Sequence, residues 1–248
     1  MARKAPTVSS VAKRLFVVLV ATRNPLNIGA AARAMSNFGF GKLRVVNPYK
    51  VAFREARSAV GASALLKNAE EYKSVAEAVA DCSLTVGTTA ARKRNLDHEL
   101  RSSNECALLI RKKLQSGSVA LLFGSEKRGL SNQDLSYCHW LMRIPTLAEH
   151  PSMNVGQAVA VCLYELVREM NVPVKAENQP AATAAELDRL TTILLDVLRT
   201  SGYVKPTTGS PTEEKTRRLA RRVNLSAEDA QVWLGILRQI LWKLRSKD

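Results

Sequence analysis

Three short stretches of the chain carry residue types that could do chemistry. The first is Asn27-Ile-Gly-Ala-Ala-Ala-Arg33, at the start of an alanine-rich helical stretch. A helix start offers unpaired N–H groups and the positive end of a dipole, which suits an anion. Gly29 costs roughly 1 kcal/mol relative to alanine inside a helix, a cost that makes sense where backbone must be approached closely. Arg33 lies further along the same helix, and helical side chains lean towards the N-terminus, so its guanidinium is expected at the mouth of a site. The second stretch is Phe123-Gly-Ser-Glu-Lys-Arg-Gly-Leu130, with Gly124 permitting a tight exit from a strand, Glu126 a fixed acceptor and Gly129 ending the loop. The third joins Ile144-Pro145, a stopped strand, to Ser152 and Asn154, both residue types that cap helices. Each stretch falls where a strand gives way to a loop or helix, the edge at which open α/β proteins bind ligands.

Several familiar chemistries are not supported. No Gly-x-Gly-x-x-Gly follows the first strand, and the loop from Gly124 to Gly129 lacks the lysine that a phosphate-binding P-loop requires. The 3 histidines are dispersed, and the 4 cysteines (Cys82, Cys106, Cys138, Cys162) contain no Cys-x-x-Cys pair. No metal site or disulfide framework is expected. Cys138 and His139 are read as neighbours on a strand, facing opposite ways.

The elements that must position these residues alternate. Apolar, β-rich runs at 15–21, 43–46, 84–86, 119–123 and 140–144 are separated by helical stretches, which predicts a mostly parallel sheet covered on both faces. The clearest helix runs from Val155 towards Met170, with apolar residues at three- and four-residue steps. The chain divides into a basic tail over 1–14, an α/β domain over 15–170, a linker over 171–183 and a small all-helical domain over 184–248. In the last, Ser210-Pro-Thr-Glu213 is expected to cap a second helix and Ser226 a third. The third helix is expected to present Trp233, Ile236, Leu237, Ile240, Leu241 and Leu244 as one stripe.

With 37 Lys+Arg against 22 Asp+Glu the net charge is +15, a field suited to a polyanion, nucleic acid before membrane. Aromatic residues make up only 5%, so recognition should rest on phosphate, ribose and shape rather than on a stacking platform. Arg217, Arg218, Arg221 and Arg222 crowd one short helix and are expected to meet phosphates. No apolar run reaches the ~18 residues of a membrane span, and the N-terminus lacks the apolar core of a signal peptide, so a cytoplasmic protein is expected.

The order N-x-G-x-x-x-R, L-x-x-G-x-E-x-x-G-L and I-P…S-x-N-x-x-x-A resembles the three motifs of the SpoU branch of the SPOUT methyltransferases, over residues 12–170. The helical extension and Val86-Gly-Thr-Thr-Ala-Ala-Arg92 make the chain similar to the TrmJ-type tRNA ribose methyltransferases. The resemblance implies a deep trefoil knot, S-adenosylmethionine as methyl donor and a homodimer with the site near its interface. It also implies 2′-O-methylation of the ribose of tRNA nucleotide 32, in the anticodon loop. Carried onto this chain, the donor pocket would comprise Thr88, Gly124, Ile144, Ser152 and Met153, with Leu122 and Asn154 nearby. Met153 stands where the family usually has leucine. Arg33 would act on the hydroxyl, held by Asn27 and Glu126. Arg92, Arg94, Lys127 and Arg128, beside the motifs, would collect tRNA backbone contacts together with the arginine-rich helix. The alternatives are a ribosomal RNA enzyme of the same chemistry and a non-catalytic RNA-binding module on this scaffold.

Overall fold

The computed structural model describes residues 11–56, 63–90, 98–168, 180–204 and 209–246. Seven strands form one sheet: β1 (Leu15–Val20), β2 (Leu43–Val46), β3 (Glu70–Tyr72), β4 (Leu84–Thr88), β5 (Leu100–Ser102), β6 (Val119–Phe123) and β7 (Trp140–Arg143). Their order is β3-β2-β1-β6-β4-β7-β5, and every pairing is parallel. All six residues of β1 are buried, as a strand covered on both faces must be. Leu15, Val17 and Leu19 enter one core with Ile28, Ile110 and Val159, while Phe16, Val18 and Val20 enter a second with Ala78, Leu135 and Ala184. That alternation is the two-residue period of a strand dividing one sequence between two layers.

Among the described residues, the helices of the α/β layer are α1 (Pro25–Asn37), α2 (Lys50–Ala56), α3 (Ser63–Lys67), α4 (Val75–Val79), α5 (Ser103–Lys113), α6 (Asn132–Leu135) and α7 (Val155–Arg168). α1 begins at Pro25, before the motif that it carries. The Asn24 side chain caps it by accepting from the Leu26 N–H at 2.9 Å, and proline occupies a first-turn position where no donor is needed. β3 and β5 were not expected: Glu70-Glu-Tyr72 and Leu100-Arg-Ser102 lie at the two sheet edges, too short and too polar to stand out as apolar runs. Cys138 and His139 precede β7 rather than lying within it, and both are buried. The His139 main-chain N–H donates to the Thr85 carbonyl, and its Nδ1 accepts from the Thr85 N–H at 3.1 Å. Burial holds its imidazole at a pKa of about 3, so it packs as a neutral group.

Three further helices follow among the described residues: α8 (Ala184–Thr200), α9 (Gly209–Arg222) and α10 (Ala227–Arg245). Thr183, placed in the linker by the sequence reading, instead forms a capping box with Glu186. The Ala184 and Ala185 N–H groups donate to the carbonyls of Cys82 and Ala80, stitching the start of α8 to the α/β layer. α9 begins at Gly209, which places Ser210 inside the helix rather than at its cap. Ser226 caps α10, accepting from the Asp229 N–H at 3.0 Å. The expected α10 stripe splits. Leu237 is buried with Leu234, and Leu241 and Leu244 pack against that core, whereas Trp233, Ile236 and Ile240 are exposed. Among the described residues no helix is long and apolar enough to cross a membrane.

Candidate functional site

The three motifs meet where β4, β6 and β7 end. The chain leaving β6 turns at Gly124 and folds back so closely that an added Cβ would lie 2.0 Å from the Gly129 carbonyl carbon. Gly129 closes the turn at φ +66°, a left-handed conformation that favours glycine, and its N–H donates to the Ser125 carbonyl at 2.8 Å. On β4 the Thr88 hydroxyl donates to the Leu122 carbonyl at 2.8 Å, fixing the ends of two adjacent strands.

The turn places Glu126 over the start of α1. Its Oε1 accepts from the Asn24 N–H at 3.1 Å and from Asn27 Nδ2 at 3.0 Å, and its Oε2 accepts from the Arg23 N–H at 3.3 Å. The helix start that was expected to hold a ligand anion through Asn27 and Gly29 therefore holds the protein's own carboxylate. Buried Asn27 continues the chain, its Oδ1 accepting from Asn154 Nδ2 at 2.6 Å. Asn154 Oδ1 in turn accepts from the Gly156 and Gln157 N–H groups at 2.8 and 3.3 Å, which caps α7. One line of hydrogen bonds thus runs through all three motifs.

Partial burial works against the Glu126 charge, but hydrogen bonds from Asn27 and from backbone N–H groups outweigh it and hold the carboxyl below its usual range. A depressed carboxylate contributes stability that is present above its unfolded value and lost as pH falls through the folded one. Glu126→Gln is therefore expected to flatten the acid limb of a melting temperature–pH profile and to leave its alkaline limb unchanged. Thermal melts from acidic to neutral pH check this, and parallel acid limbs would contradict it.

A cavity of about 330 Å³ opens beside this line. Thr88, Gly124, Ile144, Ser152 and Met153 line it, as do Glu126, Lys127 and Arg128. Leu122 and Asn154 do not. The Leu122 side chain is fully buried in the core, so only its carbonyl takes part, through Thr88; Asn154 is engaged by the cap and by Asn27. The sequence reading missed Leu130, Leu135, Met142 and Ala158, which give the cavity its apolar walls. Nothing local separates such residues from ordinary core.

Arg33 does not line the cavity. It is exposed on α1, on the same side as exposed Leu26 and Ala30. Arg92 and Arg94 lie outside the described residues. Lys127 and Arg128 are exposed at the cavity mouth. The arginine helix requires a correction. Arg221 is buried and donates to Asp188 Oδ1 at 2.9 Å, and Arg217 donates to the Ser136 hydroxyl at 3.0 Å and to Glu213 at 2.8 Å. Both turn inward, where their charge is matched by carboxylates and an aromatic face, and neither is presented to a phosphate. Arg218 is mostly covered and lies 3.8 Å from Glu214, leaving Arg222 as the exposed member of the four.

The family model described as the SpoU rRNA Methylase family matches residues 14–164, a span that includes every part of this site. The chain belongs to the SpoU methylase family. Membership makes methyl transfer to RNA its class of reaction, and the parallel sheet with its helical extension is a SpoU fold. Among similar proteins, the tRNA (cytidine/uridine-2′-O-)-methyltransferase TrmJ of Yersinia pestis is 33% identical over 90% of this chain and 90% of its own. The protein of the same name from Klebsiella pneumoniae is 34% identical over 92% of this chain and 96% of its own. The crystal structure of TrmJ from Z. mobilis superposes with a TM-score of 0.77 at 32% identity, covering 90% of this chain and 97% of that one. At 90% or more of this chain, each of these matches runs beyond residue 164 into the helical extension.

Proposed function

We propose that this SpoU-family protein methylates a ribose 2′-hydroxyl of tRNA, at nucleotide 32 of the anticodon loop, with S-adenosylmethionine as donor. The observation that carries the reading is the hydrogen-bond line Glu126–Asn27–Asn154, which fixes the arginine-bearing helix to the rim of the cavity. The tRNA ribose methyltransferases among the relatives and the +15 charge support RNA as the acceptor. We place the donor in a trefoil knot, and two copies of the chain in a cytoplasmic homodimer, with exposed Leu26 on α1 and Tyr164 on α7 at its contact.

The cavity fits such a donor. Apolar walls from Leu130, Leu135 and Ile144 suit a flat base, while the glycine turn brings backbone within reach of polar edges. Thr88, Gly124, Ile144, Ser152 and Met153 would hold it. When bound, the sulfonium supplies a methyl group that is already activated. The chain must then align the acceptor, which can supply roughly 7–11 kcal/mol, and stabilise the oxygen as it loses its proton. A guanidinium does not give up its proton near neutrality, so Arg33 acts as a donor to the developing alkoxide and to the adjoining phosphate rather than as a base. Glu126 and Asn27 fix the helix that carries it. Lys127, Arg128 and Arg222, together with Arg92 and Arg94, supply phosphate contacts to the RNA.

The test has two parts. Calorimetric titration with S-adenosylmethionine is expected to show binding, and labelled methyl groups are expected to enter total tRNA rather than rRNA. Mapping should place the label at ribose 32. Label confined to rRNA would identify a ribosomal enzyme, and RNA binding without donor uptake would identify a non-catalytic module.

A further inference from the structure

The inward-turned arginines of α9 contact the residues that immediately follow the cavity wall. The Arg217 guanidinium lies 4.4 Å from the centre of the Tyr137 ring and that of Arg221 lies 5.2 Å from it. Asp188 of α8 stands by both, at 3.8 Å from Arg217 Nε and 2.9 Å from Arg221 Nη2. Arg217 also donates to the Ser136 hydroxyl, which itself donates to the Gln133 carbonyl at 2.7 Å. The Arg221 side chain is 0% exposed, and its Nε and Nη1 have no hydrogen-bond partner among the described residues. Burying a guanidinium so incompletely satisfied is costly, and the ring face and Asp188 are what offset it. An arginine held in this way has a packing role rather than a solvent-facing one.

Ser136 and Tyr137 are one and two residues beyond Leu135, whose side chain lines the cavity. α6 (Asn132–Leu135) is a single turn, too short to be stable by itself, and it joins the glycine turn to β7. Its position depends on what grips its end. We propose that Arg217 and Arg221 are positioning residues for the donor cavity: by clamping Ser136 and Tyr137 they hold α6 and Leu135 in place, so the helical extension sets donor affinity as well as meeting RNA. This inference rests on the reading of the cavity as a methyl-donor pocket.

In the full chain, Arg217→Ala and Arg221→Ala are expected to weaken S-adenosylmethionine binding roughly tenfold, the size of one lost cation–π or charged hydrogen-bond contact. Turnover at saturating donor and RNA should stay within about twofold of wild type, because the reacting groups are untouched. Arg217→Lys keeps a cation over the ring and should recover most of the affinity, while Arg199→Ala, on the exposed side of α8, should leave it unchanged. Amide exchange over 125–137 is expected to accelerate in the alanine variants even without donor. If Arg221→Ala fails to fold, Arg217→Ala and Tyr137→Leu decide the matter, since Arg217 is at 11% exposure against 0%. A folded Arg217→Ala variant with wild-type donor affinity and exchange would overturn the clamp, as would weakened RNA binding with donor affinity intact. Wild-type protein that takes up no S-adenosylmethionine would instead reject the donor pocket, a separate result that the exchange data distinguish.

Discussion

Arg33→Ala is expected to lower methyl transfer by about 10²–10³-fold, the usual cost of removing one donor to a developing oxyanion. Donor affinity should remain within about twofold of wild type, because Arg33 lies outside the cavity lining. The contrast matters more than either number. A residue that binds the donor would raise its dissociation constant, whereas one that meets the acceptor oxygen lowers turnover with the donor still in place. Arg33→Lys sharpens the distinction, since it keeps the charge and loses the planar fork. If two parallel N–H donors are needed to span oxygen and phosphate, the lysine variant should recover little. Single-turnover methylation with donor calorimetry on the same samples measures both quantities. Near-normal turnover in Arg33→Lys would make the role one of charge alone.

Asn27→Ala should act on stability and activity together. Asn27 stands between Glu126 and Asn154, donating to Glu126 and accepting from Asn154, and it is only 7% exposed. Its removal leaves a carboxylate oxygen and an amide short of a partner, each on an exposed residue that water can reach. The two lost hydrogen bonds, one of them to a charged group, are expected to cost about 1–3 kcal/mol in total in denaturant unfolding. The start of α1 then loses its registration against α7. A shift of even about 1 Å at the reacting centre can cost on the order of 10²-fold in rate. Asn27→Asp gives the cleaner comparison, placing a second carboxylate against Glu126, and it should be worse than alanine above the carboxylate range and recover at acidic pH. Equal behaviour of the two variants at all pH values would remove Asn27 from the line.

Much of this site was legible because its residues are unusual for their local positions. A glycine directly after a buried strand, a proline ending another and asparagines at helix starts each break the local grammar for a physical reason, and the five longest strands declared themselves as apolar runs. What escaped depended on partners far along the chain. β3 and β5 are three residues each, visible only once a neighbouring strand is present to pair with them. The start of α1 is signalled by Asn24-Pro25, and that of α8 by Thr183 and Glu186. Arg217 and Arg221 have the pattern of a solvated basic face. Only Tyr137 and Asp188, brought in from separate elements, turn them inward. The outer half of the α10 stripe shows the reverse error, apolar residues at helical spacing with no core to enter.

The parallel pairing of β1 with β6 has a consequence for how the protein is made. Asn27 is separated from Glu126 by 99 residues and from Asn154 by 127. Parallel neighbours cannot be zipped from a hairpin, so each waits for a long crossover to close, and such topologies fold slowly. No fragment that stops short of Asn154 contains the whole hydrogen-bond line. During synthesis the helix that carries Arg33 emerges early and must wait for these partners until most of the α/β layer has left the ribosome. The line therefore closes in one late step: a chain truncated before Asn154 keeps at most the Glu126–Asn27 contact and lacks the cap that joins it to α7.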